Sequence, residues 1–221
     1  MIESFLHPRI VENKDWATFL FVGCFMLIAL TRSVFETRFA EFSKLIASDK
    51  YIKVYRDNSN LMSWFNVSLF FVHLISLAFF IQLTLAYFGH AEKSDWILFI
   101  RIITLLGVFI LSKYLVEKII AASFNIDEFV EQFNLQKVSY RTYIGLLLLP
   151  VDIILYYSSN TSNNVVFAII GIILTINALT YVVSLRSYQN VLLGKLFYFI
   201  LYLCALEIAP YYFMYYWFTK S

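Results

Sequence analysis

Long apolar runs separated by short polar segments dominate this chain. A transmembrane helix needs about 20 mostly apolar residues, and six runs approach that length. The first and fourth runs are short, so five or seven spans also agree with the pattern. We therefore predict an all-α fold, a polytopic transmembrane helix bundle that forms one domain over residues 1–221. The predicted spans cover residues 16–31, 61–87, 96–116, 143–157, 165–185 and 191–218.

Two segments between the spans have the periodicity of amphipathic helices, over residues 33–48 and 124–135. In the first segment the apolar positions recur at i, i+4, i+7 and i+11; they are Phe35, Phe39, Phe42 and Ile46. Such a face suits a helix that lies in the cytoplasmic membrane interface. It could pack against the end of the bundle or dock a partner, and we expect the first arrangement.

The composition excludes a water-soluble globule. Hydrophobic residues make up 61% of the 221 positions and charged residues only 14%. In soluble domains about a quarter of the residues are charged. A formal net charge of +2 gives no reason to expect nucleic acid as a partner. The expected partners are instead the lipid bilayer and other membrane proteins or further copies of this chain.

The distribution of Lys and Arg predicts the orientation. Segments on one side of the predicted spans hold eleven of these residues and segments on the other side hold four. Because cytoplasmic segments carry the excess, we expect both termini to face away from the cytoplasm. The N-terminal residues mix acidic and basic side chains, unlike a cleavable signal peptide, so the first span is expected to be retained.

Four polar side chains inside the spans are the candidate functional residues. They are His73, Arg101, Asp152 and Glu207. An intramembrane charge costs at least about 2.5–3.5 kcal/mol unless it is paired or hydrated. We therefore predict an Arg101–Glu207 ion pair in the bundle interior, which either fixes helix register or takes part in ion transfer. Asp152 should be protonated or hydrogen-bonded, with His73 as the candidate partner.

Catalytic signatures such as H-E-x-x-H, G-x-S-x-G and the P-loop do not occur in the sequence. We accordingly predict no catalytic, cofactor-binding or metal-binding residues, and no cofactor. The first functional hypothesis is a non-enzymatic subunit that assembles with other membrane proteins. The alternative is a proton-linked transporter or conduit that uses Asp152, Glu207, Arg101 and His73, and a lipid-modifying enzyme is the third.

The C-terminal stretch FYFILYLCALEIAP resembles the closing signature of an integral-membrane family of unknown function from Bacteroidota. The match runs from Phe199 to Pro210, and the fourth-span motif YIGLLLLPVD is similar at Leu149 and Pro150. The resemblance implies the inner membrane of a Gram-negative bacterium. It also implies, by association, an accessory role beside the type IX secretion or gliding machinery.

Overall fold

The structure is a computed structural model of the chain, and it describes residues 15–45, 50–55, 63–124, 127–158 and 163–187. The described ranges contain α-helices and no strand, which confirms the predicted all-α class for this part of the chain. The predicted sixth span, residues 191–218, lies outside these ranges.

Helices follow one another with short connections. They are α1 (Asp15–Val34), α2 (Glu36–Ser43), α3 (Lys50–Tyr55), α4 (Trp64–Tyr87), α5 (Trp96–Phe124), α6 (Asp127–Tyr157) and α7 (Asn163–Ser187). Helices α1, α4, α5 and α6 are long and apolar enough to cross a membrane. Helix α7 contains a shorter apolar stretch, Asn164–Thr180. The lengths and compositions of these helices fit a membrane protein.

Helix α6 differs from the predicted boundaries. The sequence pattern places a separate amphipathic helix at residues 124–135 and a short span at residues 143–157, but α6 is continuous over 31 residues. The connecting residues 136–142 are polar, yet they contain no glycine or proline that would end a helix. The backbone hydrogen bonds therefore continue through them. Pro150 lies inside the same helix.

Helix α4 lies at the centre of the bundle, in contact with α1, α5, α6 and α7. It runs parallel to α6, because Phe65 and Tyr140 share one apolar cluster and Phe79 meets Tyr156 farther along both helices, with ring centroids 6.0 Å apart. Helix α1 runs the opposite way, since Trp16 near its start stacks on Phe79 at 5.6 Å. We call the end near Trp16 the loop end and the end near Phe65 the cap end.

Helices α2 and α3 close the cap end. The apolar side chains buried together there are Phe42, Leu45, Tyr51, Phe65, Leu69 and Tyr140, with Phe35 and Phe39 packed beside them. The predicted amphipathic face of residues 33–48 thus packs against the chain's own bundle as far as Leu45. The fourth residue of that face, Ile46, lies outside the described residues.

Arg38 links helices α2 and α3 at the cap end to the start of α4. Its guanidinium lies 4.7 Å from the ring centroids of both Tyr55 and Phe65, and its Nη2 donates to Asn66 Oδ1 at 3.3 Å. Burial raises the pKa of Tyr51, and the neighbouring Arg38 partly offsets that rise. Stacking and hydrogen bonding together keep this cation at the end of an apolar bundle.

At the loop end, two side chains donate hydrogen bonds to backbone carbonyls, including one in the last turn of α6 that has no partner within the helix. Lys93 Nζ donates to the carbonyls of Leu155 and Ser158, at 3.3 and 3.1 Å. Gln82 Nε2 donates to the carbonyl of Asp95 at 2.8 Å. The α4–α5 connection is therefore held against the ends of α4 and α6. Gly89, with φ of 76°, allows the turn there.

Candidate functional site

Helices α4, α5, α6 and α7 bound a cavity of about 600 Å³ in the part of the chain that the structure describes. Its apolar wall includes Leu77, Leu105, Leu106, Leu148 and Ile173. Its polar wall includes His73, Lys113, Glu117, Asn134, Lys137, Arg141, Thr142, Asn177 and Thr180. A mainly apolar cavity with a few convergent polar groups is the usual form of a ligand-binding site.

The polar and the apolar lining residues lie at different distances from the loop end of the bundle. At a helical rise of about 1.5 Å per residue, Lys113 and Arg141 lie roughly 25 Å from the loop-end termini of α5 and α6. By the same measure, Leu105 and Leu148 lie only about 14 Å from those termini. The cavity is thus apolar towards the middle of the bundle and cationic towards the cap end.

A buried ion pair joins α5 to α6 at the cationic end. Lys137 Nζ lies 3.7 Å from Glu117 Oε1, and neither side chain is more than 7% exposed. The ammonium also lies 5.0 Å from the ring centroid of Phe133. Removing either partner of such a pair leaves an uncompensated charge in a poorly hydrated place. The pair therefore couples the positions of the two helices.

Positive charge exceeds negative charge along the cavity wall. Lys113, Lys137 and Arg141 line it, whereas Glu117 is the one carboxylate among the described lining residues. Thr142 also lines the cavity, but its hydroxyl is buried and has no hydrogen-bond partner among the described residues. A bound anion would balance the excess positive charge.

Gly145 brings α4 and α6 into close contact beside the cavity. A Cβ atom at this position would lie 2.9 Å from both Cα and Cβ of His73 and would also overlap its Nδ1. Small residues of this kind let transmembrane helices approach closely. The imidazole of His73 is consequently held against the backbone of α6.

The comparison with protein families covers nearly the whole chain. Residues 17–218 match the family model described as a domain of unknown function, DUF4271. The chain belongs to the DUF4271 family. No curated protein and no solved structure matches it. This match agrees with the sequence analysis, in which the chain resembles a family of unknown function.

Two of the predicted site residues of this DUF4271 chain, His73 on α4 and Asp152 on α6, do not form a hydrogen bond with each other. Asp152 is fully buried, and its Oδ2 accepts a 2.7 Å hydrogen bond from Ser76 Oγ. Ser76, rather than His73, is therefore its observed partner. His73 lines the cavity, and its Nδ1 has no hydrogen-bond partner among the described residues.

The other two predicted site residues are not brought together within the described DUF4271 structure. Arg101 is exposed on α5, and Glu207 lies outside the described residues. The Arg101–Glu207 ion pair stays a prediction. No cluster of three or more His, Cys, Asp or Glu side chains suited to a metal ion is found among the described residues.

The sequence pattern does not single out two cations of the cavity in this DUF4271 chain, Lys137 and Arg141, because it assigns them to a connecting segment. A recognisable signal is nevertheless present. Asn134, Lys137 and Arg141 follow i, i+3, i+7 and so share one face of a helix. On α5, Lys113 and Glu117 are four residues apart and share a face in the same way.

Proposed function

We propose that this protein is a non-enzymatic integral membrane protein that binds an anionic molecule in the cavity between α4, α5, α6 and α7. The observation that carries the proposal is the excess of cations: Lys113, Lys137 and Arg141 line a cavity with one described carboxylate, Glu117. Charges interact strongly in such partly dehydrated surroundings. An anion would therefore gain more here than on an exposed surface.

The hydrogen-bonding groups support the same proposal. Arg141, which lines the cavity, offers a planar fork of donors that suits carboxylate and phosphate groups. Glu117 is already paired with Lys137. The described cavity is thus suited to holding an anion.

The expected result of a binding test is thermal stabilisation of the detergent-purified protein by decyl phosphate, a single-chain anionic amphiphile. A ligand at 100 times its Kd stabilises a folded protein by about 2.7 kcal/mol. Arg141→Gln and Lys113→Gln should each weaken this stabilisation. Lys118→Gln, an exposed position on the same helix as Lys113, should retain it. Equal stabilisation of all four proteins, or none of the wild type, would contradict an anion site in the cavity.

A second candidate function is that of an accessory subunit in the inner membrane of a member of the Bacteroidota, beside a secretion or gliding machinery, with both termini periplasmic. It is supported by Arg101, which is exposed on the membrane-spanning helix α5. An arginine at such a position needs an acidic partner, water or headgroups. An acidic partner would be either Glu207 of the same chain or an acidic group of another subunit.

Exchange of the two charges distinguishes these partners. Arg101→Glu should lower the thermal stability of the purified protein, and Arg101→Glu combined with Glu207→Arg should restore it only where the two residues form the internal pair that the sequence predicts. Arg101→Lys keeps the charge and serves as the control. If the double variant stays as unstable as the single one and also loses a partner that co-purifies with the wild type, Arg101 faces another subunit.

Proton-linked transport through Asp152, Glu207, Arg101 and His73 has less support, because Asp152 is bonded to Ser76 and is not among the residues that line the cavity. Asn at position 152 can accept the same hydrogen bond. We therefore expect Asp152→Asn to keep wild-type thermal stability and wild-type proton permeability in proteoliposomes. A stable variant with altered proton flux would revive the transport hypothesis.

A further inference from the structure

We infer that the anion held in this cavity is the phosphate group of a membrane phospholipid, with an acyl chain against the apolar wall. The inference rests on the proposed anion binding and names the class of ligand. It follows from the order of the two walls along the helices and from the depth at which the cations lie.

The cavity has the polarity profile of a lipid. From its cap end inwards, the lining changes from Lys137 and Arg141 to Leu148 on α6, and from Lys113 to Leu105 on α5. A small inorganic anion would use only the cationic end and would leave the apolar wall without a partner. A molecule with a charged head and a hydrocarbon tail fills both parts.

The depth of the cations agrees with a headgroup position. A hydrocarbon core is about 30 Å thick, and Lys113 and Arg141 lie roughly 25 Å from the loop-end termini of their helices. With the loop-end termini at one surface of this core, the backbone at both cations lies about 5 Å short of the opposite surface. The long side chains of Lys113 and Arg141 can span that distance and place their charges in the headgroup layer. Basic pockets between transmembrane helices on the cytoplasmic side are known lipid-headgroup sites, and the excess of Lys and Arg predicts that this side is the cap end.

The chemistry of the wall suits a phosphate in particular. Arg141 can donate two parallel hydrogen bonds to phosphate oxygens, and Lys113 adds a point charge. Among the described lining residues, three cations face one carboxylate, Glu117. A headgroup with a net negative charge should therefore be preferred to a zwitterionic headgroup of the same size.

Native mass spectrometry of the full chain in detergent tests the inference. The probes are phosphatidylglycerol and phosphatidylcholine with identical short acyl chains, and inorganic phosphate as competitor. We expect phosphatidylglycerol to bind about tenfold more tightly than phosphatidylcholine, as basic side chains near an anionic headgroup predict. Lengthening both acyl chains by two carbons should tighten binding further, and millimolar inorganic phosphate should not displace the lipid.

Variants locate the site. Arg141→Gln and Lys113→Gln should each reduce the preference for phosphatidylglycerol, and Lys118→Gln should leave it unchanged, provided that all variants remain monodisperse with the wild-type helical circular dichroism. If Arg141→Gln does not fold, Lys113→Gln alone decides, because a preference that survives this substitution overturns the inference.

The failure of this inference can be told from the failure of the proposed function. If decyl phosphate stabilises the wild type but phosphatidylglycerol and phosphatidylcholine bind equally, the cavity takes a different anion and only the lipid assignment is lost. Displacement of the lipid by inorganic phosphate would likewise remove the lipid assignment alone. If neither decyl phosphate nor phosphatidylglycerol binds, both proposals are wrong.

Discussion

Replacement of Gly145 by alanine should cause the largest loss of stability among conservative changes in the bundle. The added methyl group would lie 2.9 Å from Cα and Cβ of His73, so a rotamer change of the histidine cannot relieve the overlap and α4 must move away from α6. Overpacking typically costs about 1–3 kcal/mol and sometimes more, and we expect the upper end of that range. Thermal unfolding in detergent measures the effect.

A matched control is available on α7. A Cβ atom at Gly171 meets no described heavy atom within 4 Å, so Gly171→Ala changes helix propensity without changing a described helix contact. Gly171→Ala should unfold at or slightly above the wild-type temperature. If Gly145→Ala is as stable as Gly171→Ala, the close contact between α4 and α6 at Gly145 is incorrect.

Replacement of Glu117 by leucine is expected to destabilise the protein by about 3–5 kcal/mol, the usual cost of breaking a buried ion pair from one side. The substitution leaves Lys137 without its acid, beside Lys113 and Arg141 along the same cavity. Repulsion among these cations adds to the cost of burying Lys137. The midpoint of thermal unfolding in detergent, at low and high salt, measures the loss.

A second substitution tests the cause. Glu117→Leu combined with Lys137→Met replaces the pair by apolar side chains of similar length, and we expect it to recover most of the stability. Glu36→Gln, at an exposed position on α2, should have little effect. A double variant that is less stable than Glu117→Leu alone would show that Lys137 stabilises the bundle by some other contact than the pair.

The relation between sequence and structure is clearest in α6. Apolar length predicts a helix at residues 143–157, and periodicity predicts one near residues 124–135. The polar residues between them resemble a loop, because a window of hydropathy cannot distinguish an exposed loop from a helix whose polar face lines a cavity. Only the packing of α6 against α4 and α5 shows that Lys137 and Arg141 line such a cavity.

The partner of Asp152 illustrates a second limit. The sequence indicates that a buried carboxyl group needs a hydrogen-bond partner, and this requirement is met by Ser76 at 2.7 Å. It does not indicate which residue, since His73 and Ser76 are three positions apart on α4 and lie on one face. The close packing of α4 against α6, which Gly145 allows because it has no side chain, places Ser76 rather than His73 beside Asp152.

The amino-acid sequence by itself determined the helical class, the apolar helices of membrane-spanning length and the apolar face of the segment that contains α2. These follow from hydrophobic length and period, which are local properties of the chain. The cavity, the Lys137–Glu117 pair and the bond between Ser76 and Asp152 were decided only by tertiary structure. Each joins residues on different helices, and the relative rotation and depth of two helices depend on side-chain packing between them, which no single segment encodes.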